Sequence, residues 1–202
     1  MKSVFILILF YFIFNSLQAQ NILNLKKGDT FTNQVYWQSS TPQKVDVRLL
    51  VKCKVAEIDS LGNFLLEFKL LEAIPLDNTT NIKDIELIKN KPFNMILYKN
   101  YSLKVLEDRD FMPHIINGFT SVPLFFPKED IRKNSQWIQK DDLSEIKYKV
   151  HKITKNKIYL VIDGKYIDRE RKYNVILDKR TGLIMSSDMI SKNEKQKIIQ
   201  VK

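Results

Sequence analysis

The sequence predicts a mostly β fold: a single long, curved antiparallel sheet, half-barrel or barrel-like, made of two pseudo-repeated halves with at most one or two short helices. Three observations predict it. In Val45–Val55, Val45, Val47, Leu49, Val51, Cys53 and Val55 fall on one face and Asp46, Arg48, Lys52 and Lys54 on the other, with Leu50 the exception. A period of two marks a strand with one buried and one solvated face. Ile146, Tyr148 and Val150 alternate with Lys147, Lys149 and His151 in the same way. Finally, Tyr173–Met185 echoes Phe93–Val105 at an offset of 80 residues, with the Asn, Ile, Leu and Lys positions and a later Leu identical. Each stretch reads as two short strands around a tight loop, with Asp178 bonding the loop backbone and Gly182 supplying positive φ.

Taken in chain order, residues 1–19 stand apart. Lys2 gives a positive start, Val4–Phe14 is an unbroken apolar run, and Leu17-Gln18-Ala19 places a small residue before a cut near Gln20. That is the layout of a secretory signal peptide. The run is shorter than the roughly 20 residues of a membrane helix, and no cysteine follows it for lipid attachment. The expectation is an exported protein, periplasmic, cell-surface or secreted, with no transmembrane segment in the mature chain. Residues 20–202 then form a single β domain, with halves about 25–107 and 131–190. Cys53 is the only cysteine, so no intrachain disulfide can form; its place on an apolar strand face predicts a buried, inert thiol.

Leu25-Lys26-Lys27-Gly28-Asp29-Thr30-Phe31 reads as a turn feeding an aromatic-led strand, and Ile131-Arg132-Lys133-Asn134-Ser135-Gln136-Trp137 repeats it. After each long strand the apolar phase slips: Ile58 lies three residues beyond Val55, and Ile153 three beyond Val150. A bulge is the simplest cause. Asp59–Asn63 and Lys155-Asn156-Lys157 turn the chain, and Phe64, Leu66, Phe68 and Leu70, then Ile158–Ile162, return. Asp163-Gly164 is expected to be a second tight turn, opening Lys165–Leu177, so that Gly28, Gly62, Gly164 and Gly182 all fall in turns. Ile82, Ile85 and Ile88 recur at helical spacing after an Asn-Thr-Thr run and predict a short helix. Ser191–Lys202 is lysine-rich and reads as an edge strand or a frayed tail.

The joint between the halves, Phe111–Pro127, contains no Asp, Glu, Lys or Arg. Pro113, Pro123 and Pro127 keep it from being a long helix or a central strand. A segment this apolar must be covered.

Motifs for chemistry are sparse. His114 follows Pro113 in the joint and His151 lies on a lysine-rich strand face; neither belongs to a Gly-x-Ser-x-Gly, His-Glu-x-x-His or P-loop pattern. Two histidines and one buried cysteine are a poor supply for a metal site. Asp108 with Asp110, and Asp141 with Asp142, are paired carboxylates explained by turns and solvation. A formal charge of +10 and a pI near 9.5 suit phosphate contacts, but the cations are spread over turns and outward strand positions. That spread points to a solvated basic face, or to attraction toward an anionic envelope surface, rather than to nucleic acid. Asp59-Ser60-Leu61 resembles a bacterial O-glycosylation acceptor. Asn78-Thr79-Thr80 and Asn100-Tyr101-Ser102 fit the N-glycan sequon, but ordinary turn chemistry explains all three.

The leader ending Leu-Gln-Ala-Gln, the Leu25–Phe31 turn, the Val55–Phe64 hairpin, the Asp130–Trp137 turn and the closing Asp178–Leu183 hairpin together resemble a family of exported β-rich bacterial proteins of unknown function. A long antiparallel sheet with an apolar insertion is also similar to the half-barrel carriers that move lipids or lipoproteins across the periplasm. Two function readings follow. The first is a non-enzymatic exported binding protein with an apolar concave site for a lipid or other hydrophobic small molecule. The joint would gate that site, with Phe111, Ile115, Phe119, Phe125 and Phe126 as ligand-facing residues. The second is a structural or surface-interaction protein of the cell envelope, with the joint as core plug or partner contact. No catalytic residue, metal or cofactor is assigned.

Overall fold

The computed structural model describes residues 23–40, 44–99, 101, 103–106, 122, 124–127, 130–167 and 169–201. Eleven strands form one antiparallel sheet: β1 (Thr30–Ser39), β2 (Val45–Ile58), β3 (Phe64–Pro75), β4 (Pro92–Leu97), β5 (Leu103–Val105), β6 (Gln136–Lys140), β7 (Ser144–Ile153), β8 (Lys157–Tyr166), β9 (Glu170–Asp178), β10 (Ile184–Ser191) and β11 (Glu194–Val201). A single helical turn, α1 (Lys83–Glu86), lies between β3 and β4. It forms where the isoleucine spacing predicts it, and Ile85 and Ile88 are buried.

The strand order is β5-β4-β3-β2-β1-β11-β10-β9-β8-β7-β6, so β5 and β6 are the edges and the sheet does not close. Among the described residues, the strands run from β1 at the centre outward to β5, resume at the opposite edge with β6, and meander back to the centre at β11. A sheet of this many strands cannot stay flat. Its curl is visible in one contact: the Tyr101 hydroxyl, between β4 and β5, donates to the Gly182 carbonyl before β10 at 2.9 Å.

The two halves repeat the same elements and the same hydrogen bonds. Gly28 N–H donates to Val55 O (2.8 Å) and Val55 N–H to Asp29 O (2.9 Å); Asn134 N–H donates to Val150 O (2.9 Å) and Val150 N–H to Ser135 O (2.9 Å). Asp29 Oδ2 accepts from Lys26 N–H, as Ser135 Oγ accepts from Arg132 N–H. Gly28 and Asn134 occupy the left-handed region, with φ 91° and 68°. The slips in apolar phase are bulges, at Val55/Glu57 between β2 and β3 and at Val150/Lys152 between β7 and β8. Both echoed stretches are hairpins, β4–β5 and β9–β10.

Two sequence expectations are corrected. Asp163-Gly164 is not a turn: β8 runs straight through it, with Gly164 opposite Ile146 and Arg171. The glycine is there for room, since a Cβ at this position would sit 3.0 Å from the Tyr166 ring. The turn comes later, where Tyr166 N–H donates to Arg169 O. Ser191–Lys202 is neither an edge nor a tail: β11 lies at the centre, between β1 and β10. Its lysines point outward while Gln196 and Ile198 are buried. Strand direction alternates along an antiparallel sheet, and β11 makes the step from β1 to β6 an even one. Both halves therefore run the same way and turn the same residues inward.

The inward face is the core. Val47–Val55, Phe64–Leu70, Phe93–Leu97, Ile146–Val150, Ile158–Ile162, Tyr173–Leu177, Met189 and Ile198 contribute its alternate, buried residues.

Candidate functional site

Register brings the odd residues of β1 inward with those of β2: Phe31 is opposite Cys53, Asn33 opposite Val51 and Val35 opposite Leu49. Cys53 pairs in turn with Phe68, and Phe68 with Phe93. Phe68 and Phe93 pack with ring centroids 4.4 Å apart. Above this part of the concave face lies a cavity of about 120 Å³. Its floor is Phe31, Asn33, Val35, Val51, Cys53, Leu66, Phe68, Met95, Leu97 and Ile198; Leu23, Tyr101, Val122, Leu124, Leu183 and Ile184 form its walls and roof. None of these residues carries a formal charge. Burial pushes the Cys53 thiol up to about 12, so it stays protonated, and burial also raises the Tyr101 hydroxyl far above the ordinary phenol value.

An aromatic row crosses the seam between the sheet edges. Tyr101 packs on Phe126 (5.2 Å between centroids), Phe126 on Trp137 of β6 (6.1 Å), and Trp137 stacks on Tyr148 of β7 (5.0 Å, planes 4° apart). The Trp137 indole N–H donates to Phe125 O at 2.8 Å. The end of the joint is thereby tied to β6, and Val122 and Leu124 are buried against the sheet.

The predicted site residues separate. Phe111, Ile115 and Phe119 lie outside the described residues, as do His114, Asp108, Asp110 and the leader. Phe125 is 39% exposed, and Phe126 packs in the aromatic row; neither lines the cavity. Val122 and Leu124 do; Phe126, of the same parity, packs beside them in the aromatic row, and Phe125 alternates outward. Tyr101 gave no signal in the sequence. Asn33 did: it is the one polar residue among the inward positions Phe31, Asn33, Val35 and Trp37.

A larger open groove, about 850 Å³, runs along the tips of β8–β9 and β10–β11. It is the weaker candidate, because four carboxylates offset most of the six cations in its described lining. Arg171 pairs with Glu194 at 2.7 Å, Lys147 with Glu145 at 3.1 Å and Lys172 with Asp163 at 3.8 Å. Glu194 also accepts from the Trp37 indole. His151 is exposed at the β7 bulge, and Asp141 binds the Leu143 and Ser144 amides of its own turn. Asp59 and Asp77 likewise accept from their own turns. Among the described residues no group of three or more His, Cys, Asp and Glu could hold a metal ion, and no helix is long and apolar enough to cross a membrane.

No protein-family model matches this chain, and no curated protein matches its sequence.

Proposed function

We propose that this chain is an exported, non-enzymatic binding protein whose concave apolar face takes up a lipid or another hydrophobic ligand. The observation that carries the reading is the cavity between the β1–β4 face and the Val122–Leu124 segment, uncharged along its described lining. Its 120 Å³ approaches the roughly 150 Å³ of an apolar cavity that admits benzene. It is well below the roughly 300–1,000 Å³ of a pocket that encloses a whole drug-sized molecule. A space of this size suits a small ring or one end of a chain, and a larger ligand requires the Val122–Leu124 roof to move. The second reading, an envelope structural or surface-interaction protein with the joint as plug, is favoured by the seating of that same segment: Val122 and Leu124 are buried and Trp137 holds the Phe125 carbonyl.

Titration with a fluorescent fatty-acid probe, beside thermal unfolding, separates the two. The binding reading expects saturable uptake by the wild type. It also expects loss of uptake in Leu124→Trp, which fills the cavity from the roof, without loss of the folded state. Absence of uptake by the wild type rejects this reading in favour of the plug.

A further inference from the structure

We propose that the end of the sheet nearest the cavity docks on an anionic phospholipid bilayer, through the basic turns grouped there. The choice of a bilayer as partner rests on the binding reading above, since a lipid ligand is drawn from one. The turns at this end have two sides. Leu23 before β1, Tyr101 between β4 and β5, and Leu183 before β10 face inward and line the cavity. Beside them the exposed residues are basic: Lys26 and Lys27 before β1, and Lys179 and Arg180 at the β9–β10 tip. Lys155 at the β7–β8 tip, and Arg132 and Lys133 before β6, are exposed at the same end. Backbone hydrogen bonds hold three of these turns side by side: Lys179 N–H donates to Asn156 O at 2.8 Å, and Asn24 N–H to Thr181 O at 2.9 Å. The β7–β8 and β9–β10 tips border an open cleft of about 500 Å³, lined by Lys155, Asn156, Asp178, Lys179 and Arg180.

The charge at this end is not neutralised within the chain. Among the described residues, none of these cations is in an ion pair. At the opposite end Lys44 pairs with Asp77 and Arg171 with Glu194, both at 2.7 Å. The carboxylates of the basic turns, Asp29, Asp130 and Asp178, are outnumbered by the cations, and Asp29 and Asp178 accept from amides of their own turns. Cations spread over several neighbouring turns match an extended layer of phosphates better than one small anion. Such a layer attracts each cation that comes within a Debye length, about 10 Å. Docking in this way sets the cavity end of the sheet against the bilayer.

The test is sedimentation of the full chain with vesicles of phosphatidylcholine alone, and of equal parts phosphatidylcholine and phosphatidylglycerol, at low and high salt. The chain should sediment with the anionic vesicles only, and high salt should release it. Lys179→Gln with Arg180→Gln should weaken that binding about 10- to 30-fold, since each cation near such a surface contributes about 5-fold. Fatty-acid uptake in solution should be kept in this variant, because neither residue lines the cavity. Lys147→Gln with Lys172→Gln removes the same charge toward the opposite end of the sheet and should leave vesicle binding nearly unchanged. Equal weakening by the two pairs overturns the inference, because net charge alone would then account for binding. Failure of the wild type to sediment with anionic vesicles overturns it without recourse to any variant. Capture by soluble dextran sulfate without sedimentation also overturns it, in favour of an acidic-glycan partner. Probe uptake measured without vesicles decides the binding reading separately in each case.

Discussion

Tyr101 holds a backbone angle that L-residues avoid, φ 65°, while its ring lines the cavity and its hydroxyl spans the curl of the sheet to Gly182. Such strain persists only where the surroundings over-determine it. Tyr101→Phe removes the hydroxyl contact alone and should cost about 0.5–1.5 kcal/mol, read from the urea midpoint. Cys53 makes a pH prediction. Its folded pKa, about 12, lies above the ordinary value of 9.0, so the native state holds the proton more tightly than the unfolded chain. That contribution is whole below about pH 9 and is lost as pH rises toward 12. Tyr148 and Tyr173 are raised by burial in the same sense. Stability should fall from about pH 9 upward, and Cys53→Ala, though less stable at neutral pH, should show a shallower fall. A wild-type midpoint that does not change between pH 8 and 11 would contradict this. Cys53 was legible as buried from strand parity alone, and Asn33 was equally visible, but a lone polar residue in an apolar series acquires meaning only when its partners are known.

Elements were read where chemistry is local. The two entry turns, the two bulges and the Asp59 and Asp178 loops follow from a few neighbouring residues each. Asp178 accepts from Arg180 and Thr181 N–H groups, and Gly182 takes φ 76°. Gly28→Ala tests the turn cleanly. Nothing lies within 4 Å of the added Cβ, so the cost is that of the left-handed backbone, about 1–2 kcal/mol, with an unchanged denaturant slope. Asn134→Ala, at the equivalent position, should cost a similar or smaller amount. The failure at Gly164 has a physical reason. Asp-Gly is a strong hairpin signal, but the glycine here answers a neighbouring aromatic ring, and that crowding exists only once Tyr166 is placed on the same face.

For the whole molecule the decisive strand is the last one. β11 hydrogen-bonds along both β1 and β10, so deleting residues 194–202 would expose two long central strand edges and remove the strand that, among the described residues, joins the halves in the sheet. Open edges of that length invite intermolecular pairing. The truncated chain should lose its cooperative thermal transition and aggregate, whereas deleting a frayed tail would leave the transition nearly unchanged. A second substitution probes the seam. Phe126→Asp places a carboxylate between Tyr101 and Trp137, and should release the joint from the aromatic row. If the joint is a lid, tryptophan fluorescence should shift toward the solvated range while the far-UV circular dichroism of the sheet is kept; if it is a plug, both should be lost together.

By itself the sequence determined the β class, the inward faces of β2, β3 and β7, the bulges at Val55 and Val150, the turns before β1 and β6 and at Asp59 and Asp178, and the parallel order of elements in the two halves. These depend on a period of two and on contacts within a few residues, which the chain spells out locally. Only the tertiary structure decided that the C-terminal strand lies at the centre. It also decided that Tyr101 meets Gly182 and Phe126, that Val122 and Leu124 roof the cavity, and that the Asn33 oxygen is shielded without a partner. Each of these joins residues far apart in the chain, and a strand with one apolar face is equally compatible with an edge or a centre until its neighbours are chosen.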